Sequence, residues 1–99
     1  MKYQIWYMKP SFLRDVVGSA PDPNNLSATH VYLKEIEADN QEEALSRMRA
    51  KSWSPNGEAL DLLHSKGLQH TTMTIGDVLV DESKAVYLVT GIGFSLLPK

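Results

Sequence analysis

The 99-residue sequence contains no cysteine. Disulfide bridges and thiolate metal sites are therefore excluded. Without bridges the fold has to rest on an apolar core, and 42% hydrophobic residues is an ordinary share for a globular protein. The absence of cysteine is also compatible with a reducing compartment, and we expect a cytoplasmic protein.

Long apolar runs are missing as well. No segment approaches the roughly 20 apolar residues that a membrane-spanning helix needs. The N-terminal stretch MKYQIWYMKPSF has neither the apolar run nor the small-residue cleavage site of a signal peptide. We therefore expect no membrane partner and no export.

Charge of one sign is not in excess, because ten basic residues face 12 acidic ones and the sequence pI is about 5.8. A protein that binds nucleic acid through many phosphate contacts usually carries a basic excess. A local basic patch remains an alternative, but the overall charge does not favour nucleic acid as the partner.

Motifs for catalysis and cofactor binding are absent too. The three histidines have no H-E-x-x-H spacing, and no serine lies in a G-x-S-x-G elbow. Residues 82–84 (ESK), with Asp77 or Asp81, formally resemble part of a magnesium-dependent nuclease motif. A polar hairpin turn explains the same residues without a metal. We expect no enzymatic activity, no cofactor and no metal site.

Two segments have the alternation of β-strands. In residues 2–8 (KYQIWYM), aromatic and branched side chains occupy both faces, which predicts a strand covered on both sides. Residues 29–37 (THVYLKEIE) form a second strand, in which Ile36 falls out of phase with Val31 and Leu33. This phase change predicts a bulge or twist near Lys34.

A capped helix is predicted next, over residues 41–51. Asp39 or Asn40 can act as the N-cap, and a glutamate three residues later completes a capping box. Leu45 and Met48 lie on its apolar stripe and should face the core.

A second helix should follow Ser54-Pro55, with Ala59, Leu60 and Leu63 on its inner face. Gly67 and Leu68 are suited to a Schellman ending. A hairpin at Asn56-Gly57 is the alternative interpretation of this region.

From His70 onward the hydrophobic period becomes two. The predicted strands are residues 71–75, 78–80, 85–90 and 94–97. Earlier, residues 11–17 could form one or two helical turns before a loop over residues 20–25. The order of elements predicts one α+β domain over residues 1–99, with an antiparallel sheet and two short helices packed on it. The C-terminal end of the sheet could be barrel-like, which is an alternative that the sequence allows.

The stretch HTTMTIGD, residues 70–77, allows two interpretations. Its threonines and Asp77 could form a polar rim that contacts a ligand. Alternatively, a half-buried strand exposes its threonines to water, and Gly76-Asp77 makes the turn that follows. Local propensities alone account for the second interpretation, which we prefer.

The stretch HTTMTIGDVLVDESKAVYLVTGIGF, with WYMKPSFLRD, LSATHVYL and WSPNGEA, resembles small uncharacterised bacterial proteins of conjugative plasmids and other mobile elements. The shared features are a Thr/Ser-Met-Thr/Ser core, a hydrophobic-Gly-Asp turn and a Gly-Phe ending. The resemblance implies an accessory protein of a mobile element, with no assigned chemistry. The last third of the chain is more loosely similar to the small barrels of PUA-like and SH3-like domains, some of which bind RNA. This similarity would imply RNA binding.

These observations favour a small protein that acts by binding another protein, in a regulatory or anti-defence role. A nucleic-acid-binding module that uses the C-terminal strands is the alternative. Loops concentrate binding residues, so we expect the loops at 21–25, 53–57 and 76–77 to converge, with Trp53 as the anchor. The candidate binding residues are Asp22, Trp53, Asn56 and Asp77.

Overall fold

A computed structural model describes residues 1–9, 21–49, 53, 56–57, 59–68 and 72–98. Within these ranges the chain forms five strands, two short α-helices and one turn of 3-10 helix at Leu26–Ala28. The strands are β1 (Lys2–Met8), β2 (His30–Glu37), β3 (Val78–Val80), β4 (Val86–Thr90) and β5 (Gly93–Leu96). The helices are α1 (Gln41–Arg47) and α2 (Leu60–Ser65).

The strands form a single antiparallel sheet in the order β2-β1-β3-β4-β5. The first strand therefore lies inside the sheet, between the second strand and the C-terminal meander. Among the described residues β2 and β5 do not pair with each other, so the sheet is open and the barrel alternative is not observed. The predicted α+β class, with an antiparallel sheet and two short helices, is confirmed.

The alternation of β1 separates the two faces of the sheet. Tyr3, Ile5 and Tyr7 belong to the larger core cluster, which also contains the buried residues of both helices. Trp6 packs against a smaller cluster on the opposite face, which includes Leu26 from the 3-10 turn. Both faces of β1 are covered, as the aromatic and branched residues of this segment predict.

The predicted irregularity in the second strand is confirmed. Ile5 pairs with Lys34, whereas Trp6 pairs with Tyr32, so that Leu33 is the extra residue of a β-bulge. The bulge explains the phase change in the sequence, because it lets Leu33 stay buried while Ile36 returns to the face of Tyr3.

The N-cap predicted at the start of α1 is confirmed at Asn40, and the returning bond of the glutamate reaches Asp39, one residue before the cap. The side-chain oxygen of Asn40 accepts a hydrogen bond from the backbone N–H of Glu43 at 2.8 Å, and Glu43 Oε1 accepts one from the backbone N–H of Asp39 at 3.2 Å. Met48, just after the helix, is fully buried, as predicted. Leu45 is only partly buried against the core, because Ala44 and Met48 occupy the centre of the inner face.

The ending of α2 is also as predicted. Gly67 has a positive φ of 73°, the Leu68 N–H donates to the Leu63 carbonyl, and the Gly67 N–H donates to the His64 carbonyl. This is a Schellman ending, and Leu68 is buried beside it. Leu60 was expected on the inner face, but it is 44% exposed, because Ala59 and Leu63 make the contact with the core.

The strand predicted before β3 is not formed in its described part. Residues 72–77 make a bend and a turn, in which the Met73 N–H donates to the Met48 carbonyl and the Gly76 N–H donates to the Val89 carbonyl. The remaining strands lie within one residue of their predicted ends. The alternating polar side chains are typical of a strand and led to the prediction. The backbone instead forms hydrogen bonds to Met48 and Val89, which belong to two separate regions.

Several sequence-based predictions concern residues outside the described ranges. These are the helical turns at 11–17, the caps at Ser54 and Pro55, and residues 70 and 71. Helix α1 was predicted to run to residue 51, but it ends at Arg47, and residues 48–49 form a turn and a bend. None of the helices in the described ranges is long and apolar enough to cross a membrane.

Candidate functional site

A groove lies between the edge strand β2 and helix α1. We call it the Trp53 groove, and its volume is about 740 Å³. Its lining residues are Lys34, Ile36 and Glu37 of β2, Glu43, Ser46, Arg47 and Met48 of the α1 region, and Trp53. Because β2 is at the edge of the sheet, the groove is bordered by a strand whose outer side has no described neighbour.

Trp53 is half-buried and contacts both the core and the groove. Its indole N–H donates a hydrogen bond to the hydroxyl of Tyr7, and the Lys34 ammonium lies 5.3 Å from the centroid of its ring. The hydrogen bond and the cation–π contact fix the indole on two sides. The groove therefore offers an aromatic surface that is already held in place.

Tyr7, which accepts this bond, is fully buried on the interior strand β1. Burial raises the pKa of the Tyr7 phenol well above its ordinary value, the nearby Asp77 carboxylate raises it further, and the bond from Trp53 lowers it. The phenol therefore stays neutral at any physiological pH, and it serves as a fixed acceptor beneath Trp53.

The rim of the groove carries charges of both signs. Arg47 and Glu43 form an i,i+4 ion pair at 3.2 Å, and Glu37 binds the N-terminal ammonium of Met1 at 2.8 Å. The hydrogen bond with this ammonium lowers the pKa of the Glu37 carboxyl. All four groups are exposed, so these pairs contribute little to stability and leave the charges accessible to a partner.

Asp77 is not at this surface. Its side chain is fully buried, and its two carboxylate oxygens accept hydrogen bonds of 2.9 Å from the backbone N–H groups of Met8 and Thr74. We expected a charged contact for a ligand, and the structure corrects this expectation, because no part of Asp77 is exposed. Its carboxylate instead joins the loop before β3 to the end of β1.

His30 strengthens the same junction from β2. Its Nε2–H donates to the Gly76 carbonyl at 2.7 Å, and its Nδ1 lies 2.8 Å from the Thr29 hydroxyl. A carbonyl can only accept, so the proton of the neutral ring lies on Nε2. The preferred interpretation of HTTMTIGD was a half-buried strand followed by a turn at Gly76-Asp77. The turn is observed, with the Asp77 N–H bound to the Thr74 carbonyl, whereas residues 72–75 do not form the strand.

Two of the three loops expected to converge lie on opposite faces of the sheet. Residues 23–27 line a smaller depression of about 310 Å³, together with Gln4 and Trp6. Trp53 lies on the other face with Tyr3, Ile5 and Tyr7. Loops on opposite faces of a sheet cannot contact one compact ligand, so the predicted convergence is wrong.

Asp22 and Asn56 are both exposed. The Asp22 side chain accepts a hydrogen bond of 2.9 Å from the Asn24 N–H, which is a turn contact on the face away from Trp53. Asn56 lies three residues beyond Trp53, and its part in binding stays a prediction. Of the four candidate residues, Trp53 is therefore the one that lines a groove.

The nuclease alternative offered Asp77 or Asp81 as the partner acid of Glu82. Asp77 is fully buried at the other end of β3, about 13 Å from Asp81 along the strand at about 3.3 Å per residue. Asp81 Oδ1 accepts bonds from the Ser83 hydroxyl and from the Ser83 and Ala85 N–H groups. Across the described ranges, no three His, Asp or Glu side chains are grouped as a metal ion would require.

Sequence reasoning found Trp53 and missed the other residues of the groove. Lys34 and Ile36 were considered only for the bulge in a strand, and Ser46 and Arg47 fell within the predicted helix without any binding role. A signal existed, since Lys34 and Ile36 share a face of β2 while Glu43 and Arg47 share a face of α1. What the sequence could not supply was the position of α1 beside the edge strand.

Comparisons with known proteins add no relative to these observations. No protein-family model, no curated protein and no solved structure matches this chain significantly.

Proposed function

We propose that this protein acts by binding another protein, and that the Trp53 groove is its binding site. The half-buried Trp53 supports this proposal above all, because buried aromatic anchors surrounded by polar residues dominate the energetics of protein interfaces. The charged rim around an apolar centre has the same organisation as a protein interface.

We extend the proposal to the biological setting in which the protein acts. A regulatory or anti-defence protein of a bacterial mobile element, working in the cytoplasm, would bind a host protein and would need no chemistry of its own. The resemblance of the C-terminal stretch to mobile-element proteins supports this origin. The mixed charges of the groove favour a protein partner over a polyanion.

Site-specific photo-crosslinking in the native host tests the proposal. Benzoylphenylalanine replaces the exposed Ser46, which lines the groove, or the exposed Ser95 on β5 as a matched control. We expect a discrete light-dependent adduct from position 46 that is absent from position 95. The adduct should disappear in a variant that carries both benzoylphenylalanine at position 46 and Trp53→Ala. Equal labelling from both positions would contradict the proposal.

A second candidate function has one observation in its favour. On the opposite face of the sheet, Trp6 and Tyr32 form an edge-to-face pair with centroids 5.7 Å apart, and Tyr32 is 40% exposed. Exposed aromatics on a sheet can stack on unpaired bases. This surface lies on β1 and β2, whereas the sequence alternative placed nucleic acid on the C-terminal strands.

Fluorescence anisotropy with labelled single-stranded RNA and DNA tests this second function. A nucleic-acid-binding surface should give affinity that falls steeply with salt and is lost in Tyr32→Ala. Absence of binding at low salt would remove this candidate.

A further inference from the structure

The outer side of β2 offers backbone groups for pairing. The hydrogen bonds from the Ala38 N–H to the Met1 carbonyl and from the Lys9 N–H to the Thr29 carbonyl fix the phase of the β1–β2 ladder. Ile36 therefore directs its N–H and C=O towards β1, and its neighbours Glu35 and Glu37 direct theirs away from the sheet. Within the described part of the chain, nothing pairs with these outward groups.

The free edge and the Trp53 groove belong to one surface. Lys34 and Ile36 face the groove, and Ser46 and Met48 border it from the side of α1. An extended segment paired to β2 would therefore run between the edge strand and the helix. Alternate side chains of that segment would point into the groove, towards Ile36 and Trp53.

The remaining side chains of such a segment would meet carboxylates. Glu35 is exposed on the other face of β2, and it makes no hydrogen bond or ion pair with any described residue. Glu37 is exposed as well, although the Met1 ammonium and Lys2 already partly compensate its charge. Opposite charges across neighbouring strands are favourable, and like charges are unfavourable. The edge is therefore complementary to a basic strand, with Glu35 as the main determinant.

We propose that the Trp53 groove takes an extended peptide segment of the partner protein, which adds a sixth antiparallel strand beside β2. Its recognition sequence is Lys/Arg-apolar-Lys/Arg, with the apolar residue opposite Ile36 and the basic residues opposite Glu35 and Glu37. This inference rests on the proposed protein-binding function and specifies the ligand of the same site.

A second copy of the chain fits the edge less well. Two-fold pairing of β2 with itself about Ile36 places Glu35 opposite Glu37, and pairing about Glu35 places that carboxylate opposite its own copy. Both arrangements bring like charges together at the centre of the interface. Sedimentation of the protein without added peptide measures self-association, and a dimer that Glu35→Pro disrupts would overturn the assignment of the edge to a partner peptide.

The test measures binding of a fluorescein-labelled nine-residue peptide with Lys-Ile-Lys at its centre and serine and threonine flanks. We expect saturable binding that weakens with salt, and we expect a Glu-Ile-Glu peptide to bind at least about tenfold less tightly. Glu35→Lys should invert this preference, while Asp61→Lys, an equal charge change at an exposed position on α2, should not.

Backbone pairing is tested separately from charge. In the antiparallel arrangement the two lysine N–H groups of the peptide donate to β2, and the isoleucine N–H points away. N-methylation of the lysine amides should abolish binding, whereas N-methylation of the isoleucine amide should have little effect. On the protein, Glu35→Pro removes a donor only on the free edge, where proline is tolerated, so the fold should survive while binding is lost relative to Glu35→Ala.

The outcomes separate this inference from the proposed function. Peptides selected from a random phage library show groove binding if Ser46→Trp blocks them. If such peptides are found, but Lys-Ile-Lys and Glu-Ile-Glu peptides bind equally or the N-methylation pattern is absent, the strand-addition inference is wrong and groove binding stands. If neither the designed peptide nor any selected peptide is blocked by Ser46→Trp, both fail. Ser95→Trp, on the opposite edge strand, is the matched control for bulk.

Discussion

The turns at the two ends of β3 both contain an aspartate next to the strand, but they connect different parts of the molecule. Each contributes an aspartate next to the strand, Asp77 before it and Asp81 after it. The carboxylate of Asp77 binds the N–H of Met8, which is 69 residues away in the chain. The carboxylate of Asp81 binds N–H groups only two and four residues away.

The difference shows how one residue type can serve local and long-range structure. The Asp81 contacts close a hairpin between adjacent strands, and such contacts are available to any aspartate in a short turn. The Asp77 contacts hold a loop against the end of β1, with His30 of β2 bound to the neighbouring Gly76 carbonyl. We therefore expect the turn before β3 to matter more for stability than the turn after it.

The largest effect is expected for Asp77→Ala. The substitution leaves the N–H of Met8 without an acceptor in the interior and frees that of Thr74, at a cost of about 2–5 kcal/mol in the free energy of unfolding. Asp81 is buried too, but its partner Ser83 is exposed, so water can replace part of the lost contacts and Asp81→Ala should cost about 1–2 kcal/mol. Denaturant titrations of the two variants give the comparison directly. Equal losses would mean that the two turns do not differ in the way we describe.

Gly76→Ala tests the same turn through its backbone. Gly76 has a φ of 100°, and an added Cβ would lie 2.7 Å from Met8 Sδ. We expect a loss of about 1–3 kcal/mol from the strained backbone and the displaced methionine. Gly67→Ala is the matched control, because its φ is also positive at 73° but no atom of the described residues lies within 4 Å of the added Cβ. Thermal unfolding should rank Gly76→Ala as the more harmful variant.

The third and smaller expected effect is a pH dependence of stability that arises at the turn before β3. Burial lowers the pKa of His30 below its ordinary value of 6.5, Lys9 also lowers it, and the Gly76 carbonyl and Asp77 oppose this shift. The unfolded chain therefore binds a proton more readily, so the stability contributed by neutral His30 is present above pH 6.5 and is lost as the pH falls below it.

Unfolding measured between pH 5 and pH 8 checks this expectation. His30→Gln should flatten the decline in this range, because it removes the titrating group. His64→Gln, at an exposed position on α2, should leave the decline in place. A decline that persists unchanged in His30→Gln would show that another group causes it.

Local features of the fold were predictable from the sequence, and contacts between distant segments were not. The cap at Asn40 and the Schellman ending at Gly67 depend on neighbours within a few residues, and the bulge beside Lys34 is visible as a local change of phase in the hydrophobic pattern. The role of Asp77 depends on where β1 ends in space, and local turn chemistry gives no hint of this. The Trp53 groove needed the same kind of information, since β2 and α1 contribute its two sides.

The smallest effects are expected at the tip of the turn after β3. The sequence predicts that Glu82 and Lys84 at this tip are dispensable for folding and function. Glu82 accepts a hydrogen bond from the Lys2 N–H at 2.6 Å, but the pair is exposed, so Glu82→Ala should cost less than about 1 kcal/mol. Lys84 has a φ of 71°, which favours glycine, so Lys84→Gly should raise stability by up to about 1 kcal/mol. Both variants should bind partner peptides like the unmodified protein, because neither residue lines the Trp53 groove. Denaturant titration and peptide anisotropy measure the two properties. A loss of more than about 2 kcal/mol in Glu82→Ala would show that the second turn, like the first, holds distant strands together.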